Sequence, residues 1–168
     1  MVRRRQGLTG QALGAATGLA VWLVAASAPA PAAAQARFAG QWVIAKAAVA
    51  PWARNPNEPA DAADARRLVR KRLTIGAHRL TAPQPLGCVR PTYVFRDAGA
   101  DTLFEGGLNT DGADRPTDPV ALARSLGITQ KTVRGMTASC SEVEFFLIGP
   151  DTVLFGLNNR VFTLTRVK

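Results

Sequence analysis

The densest chemistry in the sequence is electrostatic: Arg66-Arg67-Leu68-Val69-Arg70-Lys71-Arg72 places five cations in seven residues. Such a run makes a local positive field suited to phosphate, sulfate, lipid head groups or an acidic protein surface. Glu58, Asp61 and Asp64 precede it and neutralise part of that field. The run also reads as a solvated edge strand that its charge protects from pairing with other chains. Nucleophilic chemistry has less to work with. A hydrolase needs a nucleophile, a base and a group that orients the base, and His78, in Ala77-His78-Arg79, is the sole histidine. A surface histidine at a strand end is the plainer reading. No catalytic residue is therefore assigned. Asp97, Asp101 and Glu105 fall on one expected hairpin. Paired carboxylates can do acid–base work there, but acids on a turn are ordinarily just solvated. Asn109, Asp111, Asp114 and Asp118 offer oxygens of the kind Ca²⁺ takes, without the ordered spacing of a calcium loop. Turn formation accounts for them more simply, and no metal is expected. There is no phosphate-cradling Gly loop and no dinucleotide fingerprint, so no cofactor is expected either.

The elements that must carry these residues begin with a leader. Val2-Arg3-Arg4-Arg5, an apolar stretch from about Ala12 to Ala26, and a small-residue tract running from Ser27 to Ala36 follow the order of a secretory signal peptide. The apolar stretch is too short and too rich in Ala and Gly for a permanent membrane span. Cleavage is expected after Ala36, with Ala30 as the other boundary and an uncleaved anchor as the competing reading. Consecutive arginines leave twin-arginine export open. No cysteine precedes Cys88, so lipid attachment at a new N-terminal cysteine is excluded. The Ala- and Arg-rich composition looks bacterial, which points to the periplasm or the exterior.

In that compartment two cysteines read as a pair. A Cys88–Cys140 bond closes a loop of about 50 residues, for which chain entropy gives about 4 kcal/mol. A metal pair wants roughly four ligands and one histidine is too few; a catalytic thiol is the remaining alternative. The whole chain has 168 residues, 47% hydrophobic and 20% charged, which suits one globular domain and excludes disorder or a bundle of membrane helices. Its formal net charge is +9, and losing Arg3, Arg4 and Arg5 with the leader leaves +6. That balance favours anionic or acidic partners.

Residues 37–168 are expected to form a single β-rich domain. Phe38 to Ala50 reads as a strand stopped by Pro51. A short helix is expected from Asp61 to Arg67 with Asp61 as N-cap, then strands over 68–75 and 76–80. Pro83 and Pro85 place Cys88 at the mouth of a loop. Thr92–Phe95 and Thr102–Glu105 are expected to pair as a hairpin across a turn at 97–101. Asp118-Pro119 opens a helix that Gly127 closes. Four strand-length runs follow, 131–140, 143–148, 152–157 and 160–167, the last two joined by Asn158-Asn159, a pair that tolerates positive φ. Val143, Phe145 and Leu147 alternate onto one face, as do Phe162 and Leu164. The expected fold is mainly β: a small antiparallel barrel or strongly curved sheet of about eight or nine strands with one or two short helices.

Gly40-Gln41-Trp42 resembles the opening of the first strand in lipocalins and in bacterial metalloprotease inhibitors, which are small exported β-barrels. In lipocalins a basic residue on the last strand covers that tryptophan, and the resemblance assigns this role to Arg166, making Trp42 and Arg166 a barrel-closing pair. A second resemblance covers more chain. Trp42, Gly87-Cys88, Tyr93, Met136-Thr137-Ala138-Ser139-Cys140 and a final strand pair ending in Arg166 are similar in order to META/HslJ-type bacterial envelope domains. Val89 stands where that family usually has Asn, and the loop 109–117 has no obvious counterpart there. The proteins resembled are non-enzymatic or uncharacterised, so the resemblances imply no enzymatic activity.

The leading expectation is thus an exported binding module, an inhibitor or accessory protein of the cell envelope. Its partner would be an envelope protein or an anionic surface component. Nucleic acid is excluded as a partner by export, and membrane association is expected only if the signal peptide stays attached. Oligomeric state is left open. The second expectation is a carrier, with a small apolar ligand held in a barrel lined by Trp42, Phe145, Phe155 and Phe162. A hydrolase ranks third and would require His78 to meet an acid or hydroxyl in a cleft.

Overall fold

The computed structural model describes residues 31–53, 62–109 and 118–168. Alternating apolar residues set its framework. In β2 (Arg72–Ile75) Leu73 and Ile75 are buried while Arg72 and Thr74 are exposed, and β3 (Arg79–Thr81) repeats the pattern around Leu80. A strand with one apolar face must lay it against others. The remaining strands are β1 (Gly40–Val49), β4 (Cys88–Val89), β5 (Tyr93–Gly99), β6 (Thr132–Ala138), β7 (Glu144–Gly149), β8 (Thr152–Leu157) and β9 (Arg160–Arg166). All nine join one antiparallel sheet in the order β4-β3-β2-β1-β9-β8-β7-β6-β5. It curls strongly into a half-barrel. Register breaks between Ile44 and Lys46 and between Leu147 and Gly149 increase the local twist and help it bend.

The concave side holds the first core. Trp42, Ile44, Phe145, Phe155, Phe162 and Leu164 are all fully buried there. Phe155 stacks on Phe162 with centroids 4.8 Å apart, and Phe145 packs on Phe155 at 5.6 Å. Two short helices close the ends: α1 (Pro31–Phe38) inserts Phe38 against Phe95, and α2 (Ala63–Leu68) inserts Leu68. The expected cut after Ala36 falls inside α1, where Ala34 is buried. Among the described residues no helix is long and apolar enough to cross a membrane.

A second core lies on the convex side, over β5 to β9. Phe146, Leu154, Val133 and Val161 point outward from the sheet and are covered by Leu103, Leu108, Ala123 and Ile128. The cover comes from a 3-10 segment, Ala100–Gly106, and from α3 (Pro119–Ser125). As expected, Asp118 caps α3, its carboxylate accepting from the Val120 N–H at 2.8 Å, and Gly127 beyond the helix has a φ of +85°.

Several expected elements differ. The hairpin of Thr92–Phe95 with Thr102–Glu105 does not form. β5 instead runs through the expected turn to Gly99 and pairs with β6, because Ala98 is buried in the outer core opposite Val133 and Asp97 faces Arg134. Thr102–Glu105 lies in the kinked 3-10 segment, with Phe104 and Glu105 at φ 52° and 59°. The helix before the basic run starts at Ala63 with no side-chain cap, and Asp61 lies outside the described residues. Leu68 ends that helix rather than starting a strand, because it is needed as a core residue at the barrel end. Three short α-helices are present among the described residues, where one or two were expected.

Candidate functional site

The two edge strands, β4 and β5, do not pair with each other, so the half-barrel has a seam. Cys88 on β4 bonds Cys140, just after β6, with Cα atoms 5.5 Å apart. The disulfide straps the β4 edge to the β5–β6 side. Next to it the Ser139 hydroxyl accepts from the Thr92 N–H at 3.1 Å, and the Tyr93 hydroxyl reaches across to the Gly76 carbonyl at 2.9 Å. Burial raises the Tyr93 phenol above its ordinary value, which keeps it a neutral donor.

At the α1 end, Arg166 lies over Trp42 with its guanidinium carbon 4.2 Å from the ring centroid, a cation–π arrangement. Its Nη1 donates to the Ala39 carbonyl at 2.7 Å and its Nη2 to the Arg37 carbonyl at 2.6 Å. Trp42 Nε1 donates to the Phe38 carbonyl at 2.8 Å. Three successive carbonyls, 37 to 39, are thus held by one pair of side chains. Gly40, at φ +126°, leaves the room: a Cβ there would sit 2.9 Å from Arg166 Nη1.

The basic run does not form one element. Arg66 and Arg67 lie on the last turn of α2, Arg70 turns the chain at φ 69°, Lys71 follows, and Arg72 opens β2. All five are exposed. Arg67 is tied to Asp64 at 2.5 Å and also donates to the Gln84 carbonyl. Asp64 accepts a second bond from the Asn158 amide at 2.5 Å. These donors hold its carboxyl below the usual carboxylate range, Arg67 contributing most. Arg66, Arg70, Lys71 and Arg72 have no ion pair among the described residues. Folding adds further cations to them. Arg79 points outward from β3, and Lys46 and Arg90 are exposed on the same half of the sheet.

The residues weighed for other chemistry are scattered. His78 stands exposed on the β2–β3 turn, its backbone carbonyl accepting from the Arg90 N–H at 3.1 Å. Its ring meets no acid or hydroxyl among the described residues. Asp97 is engaged by Arg134 at 2.9 Å, while Asp101 and Glu105 belong to the 3-10 segment. Asp118 is a helix cap, and Asp111 and Asp114 lie outside the described residues.

The outer core escaped sequence reasoning, together with a cleft of about 240 Å³ beside it, walled by Trp52, Phe104 and Phe146 and rimmed by Glu105, Glu142 and Glu144. Glycines make this wall possible. At Gly156 a Cβ would stand 3.1 Å from the Phe104 ring, and at Gly107 one would stand 3.1 Å from Trp52. Glu144 is bound through both oxygens by Arg96, at 2.7 and 2.5 Å. The signal was present in Phe145-Phe146-Leu147 and Val153-Leu154-Phe155, unbroken apolar runs that mark strands buried on both faces. No family model, no curated protein and no solved structure matches this chain, so its own surface is what points to its function.

Proposed function

We propose that this chain is an exported, periplasmic or secreted binding module of the bacterial cell envelope, an inhibitor or accessory protein that meets an acidic partner with the bare outer face of β1–β4. One observation carries this reading: among the described residues nothing packs over that face, and the cations on it and on the adjoining end of α2 are nearly unopposed. Between Gly40 and Pro91 the described residues include eight Lys or Arg and a single acid, Asp64. A surface of this kind steers association with acidic partners and discriminates against basic ones. For the same reason a basic enzyme such as a lysozyme is a poor candidate target. The disulfide fits an oxidising compartment.

The carrier reading has less support, because Trp42, Phe145, Phe155 and Phe162 fill the concave side by packing on one another. A hydrolase has less still, given the isolation of His78. The test is a pull-down from envelope extract with the wild-type protein and with a variant carrying Ser at Arg66, Arg67, Arg70, Lys71 and Arg72. An acidic envelope component is expected with wild type, eluting as salt rises, and lost with the variant. Equal recovery by both would discard the reading.

A further inference from the structure

We infer that the mouth of the half-barrel beside α1 is a binding site for a small molecule bearing a carboxylate or phosphate group. The cleft there has a volume of about 490 Å³, within the range of small-molecule sites. It lies away from the basic outer face, and the inference does not depend on that reading.

Three guanidiniums reach this cleft from three separate elements: Arg37 of α1, Arg134 of β6 and Arg166 of β9. Asp97 is the one carboxylate among its described lining residues. Each arginine stands differently. Arg166 is fixed by the Arg37 and Ala39 carbonyls, by Trp42 and by Asp151 at 3.2 Å, so it supplies a positive charge that cannot swing away. Arg134 presents its fork to Asp97, at 2.9 Å from Nε and 3.3 Å from Nη2. That carboxylate is more than half exposed, and an exposed pair of this sort is weak. An incoming oxyanion can take the same bidentate position. Arg37 has no side-chain partner among the described residues and is exposed on the rim. Leu147 and Ile148 give the cleft a modest apolar side. The chemistry is therefore that of a small anion with a short apolar body.

The test is calorimetric titration of the full chain at low salt with two probes, inorganic phosphate and butyrate. Saturable binding of at least one is expected; tighter phosphate binding identifies a phosphoryl ligand and tighter butyrate binding a carboxylate. Arg37→Ser and Arg134→Gln should each weaken it about tenfold, the loss of one charged hydrogen bond. Asp97→Asn should tighten it by freeing the Arg134 fork, a change of sign that general damage to the fold would not produce. Arg124→Ser, on α3, should bind as wild type. Circular dichroism checks that each variant is folded. No saturable binding of either probe, or unchanged binding by the folded Arg37 and Arg134 variants, would overturn the inference.

Discussion

The two halves of the sheet solve the same problem in opposite ways. Both bury their concave face in one continuous core, but β5 to β9 also bury their convex face beneath α3 and the 3-10 segment, whereas among the described residues nothing covers that of β2 to β4. Charge follows cover. From Thr92 onward the described residues hold seven Lys or Arg and seven acids, several of them paired across strands, such as Arg96 with Glu144 and Arg134 with Asp97. The described residues of the uncovered half hold eight cations and one acid. A chain that wanted only solubility would mix its signs. Segregating them on the uncovered half raises the local positive field, at the cost of repulsion within the run. The lesson is that one sheet can concentrate its burial and its unpaired charge on different strands.

The largest test of this contrast is Phe146→Ala, which empties the outer core and should cost about 3–5 kcal/mol in urea unfolding. Val43→Ala, on the outer side of β1, should cost well under half of that. Similar costs for the two would mean that the covered and bare halves do not differ. Replacing Cys88 and Cys140 together with Ser should cost about 2–4 kcal/mol, since the bond constrains a long loop and ties the halves across the seam. Serine at the five positions of the basic run should change stability by only about 0.5 kcal/mol per site while removing partner capture. If that variant unfolds readily, the run is structural.

The smallest effect concerns Asp64, the one described acid of the bare half. Its folded carboxyl titrates below the ordinary value because Arg67 and Asn158 donate to it. A depressed folded pKa stabilises above the unfolded value, near about 3.9, and that stabilisation is lost as pH falls through the folded value. Acid unfolding of Asp64→Asn should therefore show a slightly shallower loss of stability below about pH 4 than wild type. An identical acid limb would remove Asp64 as a contributor.

Much of this was legible in the sequence where the signal is local. The 152–157 strand has the expected bounds, Asn158 and Asn159 take φ 46° and 59° as their turn requires, and Asp118 caps its helix. The interior residues Val143, Phe145, Leu147, Phe162 and Leu164 share one core, as their spacing implies. Legibility failed where a residue's state depends on a distant partner. Thr102–Glu105 has strand-like composition, yet β6 takes the place beside β5 that the hairpin would have used. The role of Phe146 was hidden because alternation assigns it to solvent, and only the arrival of Leu103 and Ile128 covers it.

The sequence by itself determined the β-rich class, the apolar face of each late strand and the concentration of positive charge at 66–72. These follow from properties each residue carries with it: side-chain polarity, period-two alternation, and the φ that Asn and Gly tolerate. Tertiary structure alone decided the strand order, the second core and the company each charge keeps. Arg166 meets the carbonyls of Arg37 and Ala39 across more than 120 positions of chain. Only closure of the sheet brings Arg37, Arg134 and Arg166 around a single cleft, because proximity between distant residues is a property of the packed chain and not of any segment in it.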